Sequence, residues 1–598
     1  MKYILPFILL ISVAVIYFFQ HSLLLSNVLP AASYLLIAAV VVDVLKNIMP
    51  TKTKTKFDFF PTDVVARSLL LVFTLILFFS TLFEKWYGTG IATWQLGGGI
   101  IPVGDSFAYF SGIQEYWYDK YLSGISSWKP LMTLYYASIF RLFGNSMLDM
   151  QVITTALFAL SGVLLGLRLY KYWGLSPALL YSYSAALFIH EFTGSIMAEP
   201  LGFSVSQIAI IFLLDAIYQK KFSRFLWGVA CFSVAMNIRM GAMFVFPLLF
   251  LYGVWFLFKQ TNFKKTLGIL GLVLALGFGF LLSSTINKTT NTPKEQGNTQ
   301  QGSFYYLFYT FLKGKNLQAW RDIHKDYPEL TSLPSSERYR MIRQISLDTF
   351  TQNPQNFFSL YTKSTGRSLK NLPKLLFPST GNLYYYFSWL NLLLIFVGIG
   401  ASIFLYLKKR SKPEMFILIL LLLVIIGVVL SNFIQINYRS LSATYPFHYL
   451  LLALCLYQVL YLIKVLLNPS DEIKIYAPKT YTNFWNYAWM GSYFILLLLS
   501  IFLPATKALS LGEIENASCT CKGKGAVIQL GNGNFINFSG EISKLRNTTN
   551  DKYSLSQRTR KMLKDNAPKA IFVGKNLLNT HENTTIFYFD TFLDFSQG

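Results

Sequence analysis

Long apolar runs separated by short polar, mostly basic stretches recur along most of the chain. A helix needs about 20 apolar residues to cross about 30 Å of hydrocarbon. On that measure candidate spans lie near 4–20, 23–45, 68–84, 147–167, 175–190, 196–218, 224–238, 241–258, 266–284, 385–407, 415–433, 446–466 and 486–507, about thirteen in all. The first follows Lys2, as a signal peptide would. Its run is long, however, no small-residue cleavage site follows, and a second span begins at once, so it reads as a retained helix.

Two stretches break the pattern. Pro130 to Phe143 is helical in character, with Pro in its first turn and Gly144 as a stop. About 14 residues at 1.5 Å each reach only about 21 Å, too short to span. Before it, Phe107, Phe110, Ile113, Trp117 and Tyr121 recur at helical spacing, with Gln114, Glu115, Tyr118 and Asp119 elsewhere. The expectation is two amphipathic helices lying on the membrane surface.

Charge then orients the spans. Lys and Arg gather in loops on the cytoplasmic side. With the N-terminus in the cytoplasm, the inner loops 46–67, 168–174, 219–224, 259–265, 408–414 and 464–485 carry 20 basic residues. The short outer loops carry only Arg239 and Arg439. Composition agrees with a membrane class. Of 598 residues 53% are hydrophobic and only 13% charged, against about 25% in soluble domains. The net charge of +24 therefore reads as membrane orientation and not as a nucleic-acid surface. Cys231 and Cys455 lie in apolar runs and read as packing thiols, while Cys519 and Cys521 form a pair open to oxidation if exported.

The expected fold is an all-α polytopic membrane protein. It divides into two extra N-terminal helices with a cytoplasmic loop (1–65), a core with outer loop 85–146 (66–284), a basic extracytoplasmic loop (285–384), C-terminal transmembrane helices (385–507) and a small, β-containing extracytoplasmic domain (508–598). The N-terminus is expected in the cytoplasm and the C-terminus outside. The loop 285–384 carries 13 Lys and Arg against 6 acids, a pattern suited to anionic lipid. Tail triplets at Asn516, Asn537, Asn547 and Asn583 match the glycosylation pattern but arise by chance in an Asn-rich chain.

Five residues stand out chemically. Asp105 precedes the first surface helix, where it can cap the helix, act as a base beside the membrane, or do both. Lys129 precedes Pro130 and reads as a snorkelling lysine or as a cation for a lipid phosphate. Glu199 interrupts an apolar run at the outer end of a span, where an ionisable group is costly and usually functional. Arg239 and Arg439 occupy hinges in which the orientation rule predicts few cations. They either pair with headgroups or converge on an anionic ligand, for which the guanidinium fork is suited. The five histidines have no metal-ligand spacing, and P-loop, GxGxxG and GxSxG motifs are missing.

Gly104-Asp105-Ser106-Phe107-Ala108-Tyr109, Trp128-Lys129-Pro130-Leu131 through Leu142-Phe143-Gly144, and Met197-Ala198-Glu199-Pro200-Leu201 resemble the C-type superfamily of membrane glycosyltransferases. Asn237-Ile238-Arg239 followed by Phe246-Pro247, and Arg439 through Tyr445-Pro446, fit the same order. The nearest branch holds the protein O-mannosyltransferases and the lipid A aminoarabinose transferase, and the resemblance covers roughly residues 65–466. A single Asp105 stands where the mannosyltransferases have an Asp-Glu pair. The tail 508–598 matches nothing in that family, and the helices before residue 65 are an addition.

The resemblance implies transfer of a sugar from a polyprenyl-phosphate donor to a hydroxyl of a glycolipid, glycan or protein, on the outer face of a bacterial inner membrane. Asp105 would be the general base, Glu199 its assistant, and Lys129, Arg239 and Arg439 would hold the donor phosphate. No cofactor is required by this chemistry, and a divalent metal is compatible with it but not indicated. The partners implied are the donor, the acceptor and the lipid bilayer, with no nucleic acid. Two other readings compete. A ligase or polymerase of the O-antigen type would lean on outer Arg and His. A transporter would show inverted repeats and midplane charges, and the sequence has no internal repeat.

Overall fold

The computed structural model describes residues 25–48, 63–87, 91–92, 95–96, 101–102, 105–119, 121–122, 124–143, 147–260, 263–290, 301–314, 322–333, 335–377, 382–408, 412–431 and 438–467, and the short strands at 527–529, 535–537, 570–575 and 584–589. Helices dominate. In chain order they are α1 (Leu25–Ile48), α2 (Asp63–Tyr87), α3 (Asp105–Asp119), α4 (Gly124–Ser127), α5 (Pro130–Leu142), α6 (Met147–Trp173), α7 (Leu175–Ile189), α8 (Ala198–Gln219), α9 (Phe222–Ile238), α10 (Val245–Gln260), α11 (Lys265–Thr290), α12 (Gln301–Leu312), α13 (Asp322–Asp326), α14 (Ser335–Gln352), α15 (Pro354–Lys370), α16 (Leu372–Leu376), α17 (Asn382–Leu407), α18 (Lys412–Ser431) and α19 (Tyr445–Leu467).

Eight of these, α1, α2, α6, α8, α11, α17, α18 and α19, are long and apolar enough to cross a membrane. Three more that the sequence marks as spans, α7, α9 and α10, are shorter apolar helices. The chain is a helical polytopic membrane protein. The expected spans near 4–20 and 486–507 lie outside the described residues, as do Cys519 and Cys521.

One continuous core joins the bundle. Helix α8 packs along α9, α9 along α11, α2 along α6, and α17 along α19. Buried hydroxyls tie neighbouring helices within it. Thr74 meets Ser182 at 2.9 Å, and Ser161 meets Ser204 and Gln207 at 2.6 Å. Such bonds are the polar glue of helices without a hydrophobic drive to associate in lipid. Cys231 and Cys455 are buried free thiols.

The two expected surface helices exist, but the membrane-surface reading needs correction. Residues Pro130 to Ile139 of α5 are buried on every face, so this helix is enclosed by protein. In α3 the buried stripe is Tyr109, Ile113 and Tyr116, whereas Phe107 is exposed. The spacing of Phe107 with Phe110 is helical, but α3 turns Tyr109 inward, where Lys129 lies 4.9 Å from its ring centre, and Tyr116 is buried on the same stripe.

Among its described residues the segment 285–384 is largely helical. It holds α12 to α16, and a second, small core of Tyr306, Tyr309, Ile323, Leu330, Ile342 and Ile345. Tyr309 donates to Asp326 at 2.7 Å, and Tyr306 pairs with His324 at 3.1 Å. Trp128 meets Tyr339 of α14 edge to face at 5.7 Å, which joins this small core to the segment entering α5. In the tail, β4 (Val527–Gln529) pairs antiparallel with β5 (Phe535–Asn537) and β6 (Ala570–Lys575) with β7 (Thr584–Phe589). Ahead of α3, short strands β1 (Ile91–Ala92), β2 (Gln95–Leu96) and β3 (Ile101–Pro102) form an antiparallel ribbon.

Candidate functional site

Five segments separate in sequence meet at one end of the bundle. Helix α3 begins with Asp105, and α8 begins with Ala198-Glu199-Pro200. Arg239 caps the C-terminal end of α9, and Arg439 sits on a 3-10 turn, Tyr438–Leu441, just before α19. Lys129 is the residue before α5. Acids at helix starts complement the positive end of the helix dipole.

All five sequence-selected residues enter one ionic cluster. Nε of Arg439 donates to Oε1 of Glu199 at 2.9 Å, and its Nη2 donates to Oδ2 of Asp105, also at 2.9 Å. Nη2 of Arg239 lies 3.3 Å from the same Oε1, and its Nε donates to the Arg439 carbonyl at 3.1 Å. Lys129 places Nζ 4.9 Å from the centre of the Tyr109 ring, within electrostatic reach of Glu199, Arg239, Arg439 and Asp105. The expectation that Arg439 waits for a ligand is therefore refined. Its fork already bridges the two carboxylates.

Burial is graded across the cluster. The Glu199 side chain is 0% exposed, those of Arg239 and Arg439 are 14% and 15% exposed, and that of Asp105 is 45% exposed. Asp105 is thus the accessible end. Oε2 of Glu199 is buried and accepts from none of the described residues. A buried carboxylate oxygen without a donor costs free energy, so that atom marks a place for a further hydrogen-bond donor.

Charge is unbalanced as well. Two carboxylates face three cations when Lys129 is protonated. Burial, followed by repulsion from Arg239, pulls the Lys129 ammonium down to about 7, against the attraction of Glu199. Burial also pushes the Tyr109 phenol well above its ordinary range, so it stays neutral under the lysine. Arg439 is held charged despite its burial by Glu199 and by its hydrogen bond to Asp105.

The supporting contacts explain why the chain folds this way locally. Ser106, next to Asp105, accepts the Ile196 N–H at 3.1 Å, and Tyr136 of α5 donates to the Ser195 and Met197 carbonyls at 3.3 and 3.1 Å. The turn leading to Glu199 is thereby clamped from both sides. Gly202, one turn beyond Glu199, lies so near Arg239 that a Cβ would sit 3.2 Å from the arginine Cβ. Gly241 packs directly on the Ser440 carbonyl with no room for a Cβ. Gly202 thus lets α8 approach Arg239, and Gly241 lets the turn after Arg239 touch that of Arg439. Ser206 donates to the Ala443 carbonyl at 2.5 Å and fastens α8 to the same region.

Ser106, Tyr109, Tyr136, Gly202 and Gly241 escape sequence reasoning, because each acts through a tertiary contact. The one local signal was adjacency, since Ser106 follows Asp105. A second buried ion cluster occupies the far end of α8. Asp215 meets Arg168 at 3.3 Å and Arg224 at 3.6 Å, and Tyr172 donates to it at 2.7 Å. Sixteen helical residues separate it from Glu199, about 24 Å.

No protein-family model matches the chain, and no curated protein matches it.

Proposed function

We propose that this protein is a membrane glycosyltransferase that moves a sugar from a polyprenyl-phosphate donor to a hydroxyl acceptor. The observation that carries the reading is the cluster itself: two carboxylates and three cations from distant segments at one end of an apolar bundle, with Asp105 accessible. A lipid-borne phosphate reaches such a depth, and Lys129 with Arg239 supplies the positive charge to meet it. Binding of one anion would bring the cluster to charge balance and raise the Lys129 pKa.

In the proposed reaction the acceptor hydroxyl attacks the anomeric carbon as Asp105 takes its proton. The bond from that carbon to the donor phosphate oxygen breaks, and the departing phosphate keeps the electron pair, stabilised by the cations. Glu199 holds Arg439, and Arg439 in turn fixes the direction of the Asp105 carboxylate. The unpartnered Oε2 of Glu199 is suited to a hydroxyl of the acceptor or sugar.

The site is proposed to face away from the cytoplasm. The basic residues Arg168, Lys171, Lys220, Lys221 and Arg224 gather around the opposite end of α8, and basic loops favour the cytoplasmic side. On this orientation α19 ends on the cytoplasmic side, so we place the tail outside through a further crossing by the apolar run 486–507, and the protein in a plasma membrane such as a bacterial inner membrane. The test is transfer of radiolabelled sugar from a synthetic polyprenyl-phosphate sugar by the purified full chain in lipid vesicles. Incorporation that depends on Asp105 supports the reading. If a panel of polyprenyl-phosphate hexoses and pentoses yields no enzyme-dependent consumption of donor, the reading is wrong.

A further inference from the structure

Helix α15 has an amphipathic arrangement that the site does not use. Asn353 caps it, accepting the Asn356 N–H at 3.1 Å, and Pro354 opens its first turn. At 100° per residue its side chains fall into three stripes. Phe357, Tyr361 and Ser368 face the protein. Phe357 packs against Phe308, Phe350 and Phe311, with ring centres 5.4 to 6.0 Å apart, and Ser368 is buried. Phe358 and Leu369, eleven residues apart and so nearly superposed along the axis, are 60% and 55% exposed. Lys363, Arg367 and Lys370 form the third stripe and are exposed.

The position of the helix says what covers the apolar stripe. Tyr361 donates to the carbonyl of Leu430 at 3.3 Å, at the last turn of the apolar span α18. Just beyond α15, the carbonyl of Leu375 accepts from Tyr445 at 3.0 Å, and that of Leu376 meets His448 Nδ1 at 3.3 Å. Tyr445 and His448 open α19, which runs back from the same end of the bundle. The middle of α15 and its C-terminal flank are thus both pinned where membrane-crossing helices end, which is the level of the headgroups. From Tyr361 to Lys370 the helix runs about 14 Å between these two anchors, so that half of it stays near that level.

We infer that α15 is an in-plane membrane helix, with Phe358 and Leu369 in the acyl layer and Lys363, Arg367 and Lys370 on the phosphates of anionic lipids. Apolar residues beside a basic stripe, held at headgroup depth, are the composition of an interfacial helix. The charge complementarity selects anionic over neutral lipid. The inference does not depend on sugar transfer, since it rests on the helix and not on the ion cluster.

The experiment uses the full chain in nanodiscs, with Cys519 and Cys521 replaced by Ser so that only the buried Cys231 and Cys455 remain. A nitroxide is attached in turn to Phe358→Cys and Lys363→Cys, both exposed positions. Oxygen should relax the label at 358 several-fold more than a water-soluble nickel chelate does, and the order should reverse at 363. Separately, lipid co-purified from a mixed phosphatidylglycerol and phosphatidylcholine bilayer is weighed for wild type and for the triple variant Lys363→Gln, Arg367→Gln, Lys370→Gln. Anionic enrichment should fall severalfold in the triple variant, with roughly fivefold per charge removed as the upper bound. Equal nickel access at both positions, or unchanged enrichment in the triple variant, would overturn the inference.

Discussion

Arg439 and Glu199 stand 240 positions apart, yet Nε of the arginine lies 2.9 Å from Oε1 of a carboxylate with no exposed surface. The arginine's other arm holds Asp105. One guanidinium thus joins the most buried and the most accessible members of the cluster, and it transmits the geometry of one to the other. Removing one partner of a buried pair leaves an uncompensated charge at a cost of about 3–5 kcal/mol. Arg439→Ala should therefore lower thermal stability in detergent, and Arg439→Lys, which keeps the charge but not the fork, should lower it less. Glu199→Gln should cost less in the Arg439→Ala background than in wild type, because one of the two arginines that Glu199 holds is already gone while Arg239 remains. Additive losses in that double-mutant cycle would deny the coupling.

Asp105 is the accessible end of the cluster, and the proposed chemistry makes it the base. Asp105→Asn keeps the size of the side chain and one oxygen for Arg439, so the fold should persist. Transfer should fall by about 10²–10⁴-fold, the usual weight of a general base. The comparison is initial rate at saturating donor, with size-exclusion behaviour as the control for folding. Near wild-type turnover would reduce Asp105 to a helix-start acid that steadies Arg439.

Most of the span pattern was legible because hydrophobic length is a local property. The runs near 23–45, 68–84 and 446–466 each became a helix. The cluster residues were legible for a different reason: each violates the expectation of its surroundings, as an acid in an apolar run or a cation in a hinge that should be neutral. What their patterns lack is distance. Nothing local to Arg439 says that its fork ends on Asp105 and Glu199. The enclosure of α5 was equally hidden, since Pro130 to Ile139 reads as a short apolar helix whether lipid or protein surrounds it. The inward face of α3 was hidden because Phe107, Phe110, Ile113, Trp117 and Tyr121 recur at helical spacing, while what meets Tyr109 is Lys129, a contact from a distant turn.

Gly241 offers a test of how the two arginine turns are held. A methyl there would collide with the Ser440 carbonyl, and backbone cannot step aside as a side chain can. Gly241→Ala should separate the turn of Arg239 from that of Arg439 and lengthen the 3.1 Å bond from Arg239 Nε to the Arg439 carbonyl. Overpacking of this kind typically costs about 1–3 kcal/mol. Thermal unfolding should register that loss, together with a fall in donor affinity. A variant as stable and as active as wild type would mean that the turns do not need contact.

Lys129 sets the pH dependence. Its folded pKa is about 7, below the ordinary 10.5, because burial and Arg239 disfavour the ammonium. Between those values the unfolded chain binds more protons than the folded one, so the contribution of this group to stability grows as pH rises from 7 toward 10.5. Anion binding has the opposite slope. The ammonium is present below about 7 and lost above it, so affinity for a polyprenyl-phosphate sugar, whose phosphodiester keeps one charge over this range, should weaken as pH rises through neutrality. The bound phosphate favours the charged lysine, so the midpoint in the complex should lie higher than in the free protein. Lys129→Arg fixes the charge and should flatten the profile over pH 6 to 9, while Lys129→Met should flatten it at weak affinity. Calorimetric titration of a polyprenyl-phosphate sugar at several pH values measures both. A profile that keeps its slope in Lys129→Met would assign the titration to another group and remove Lys129 from the phosphate site.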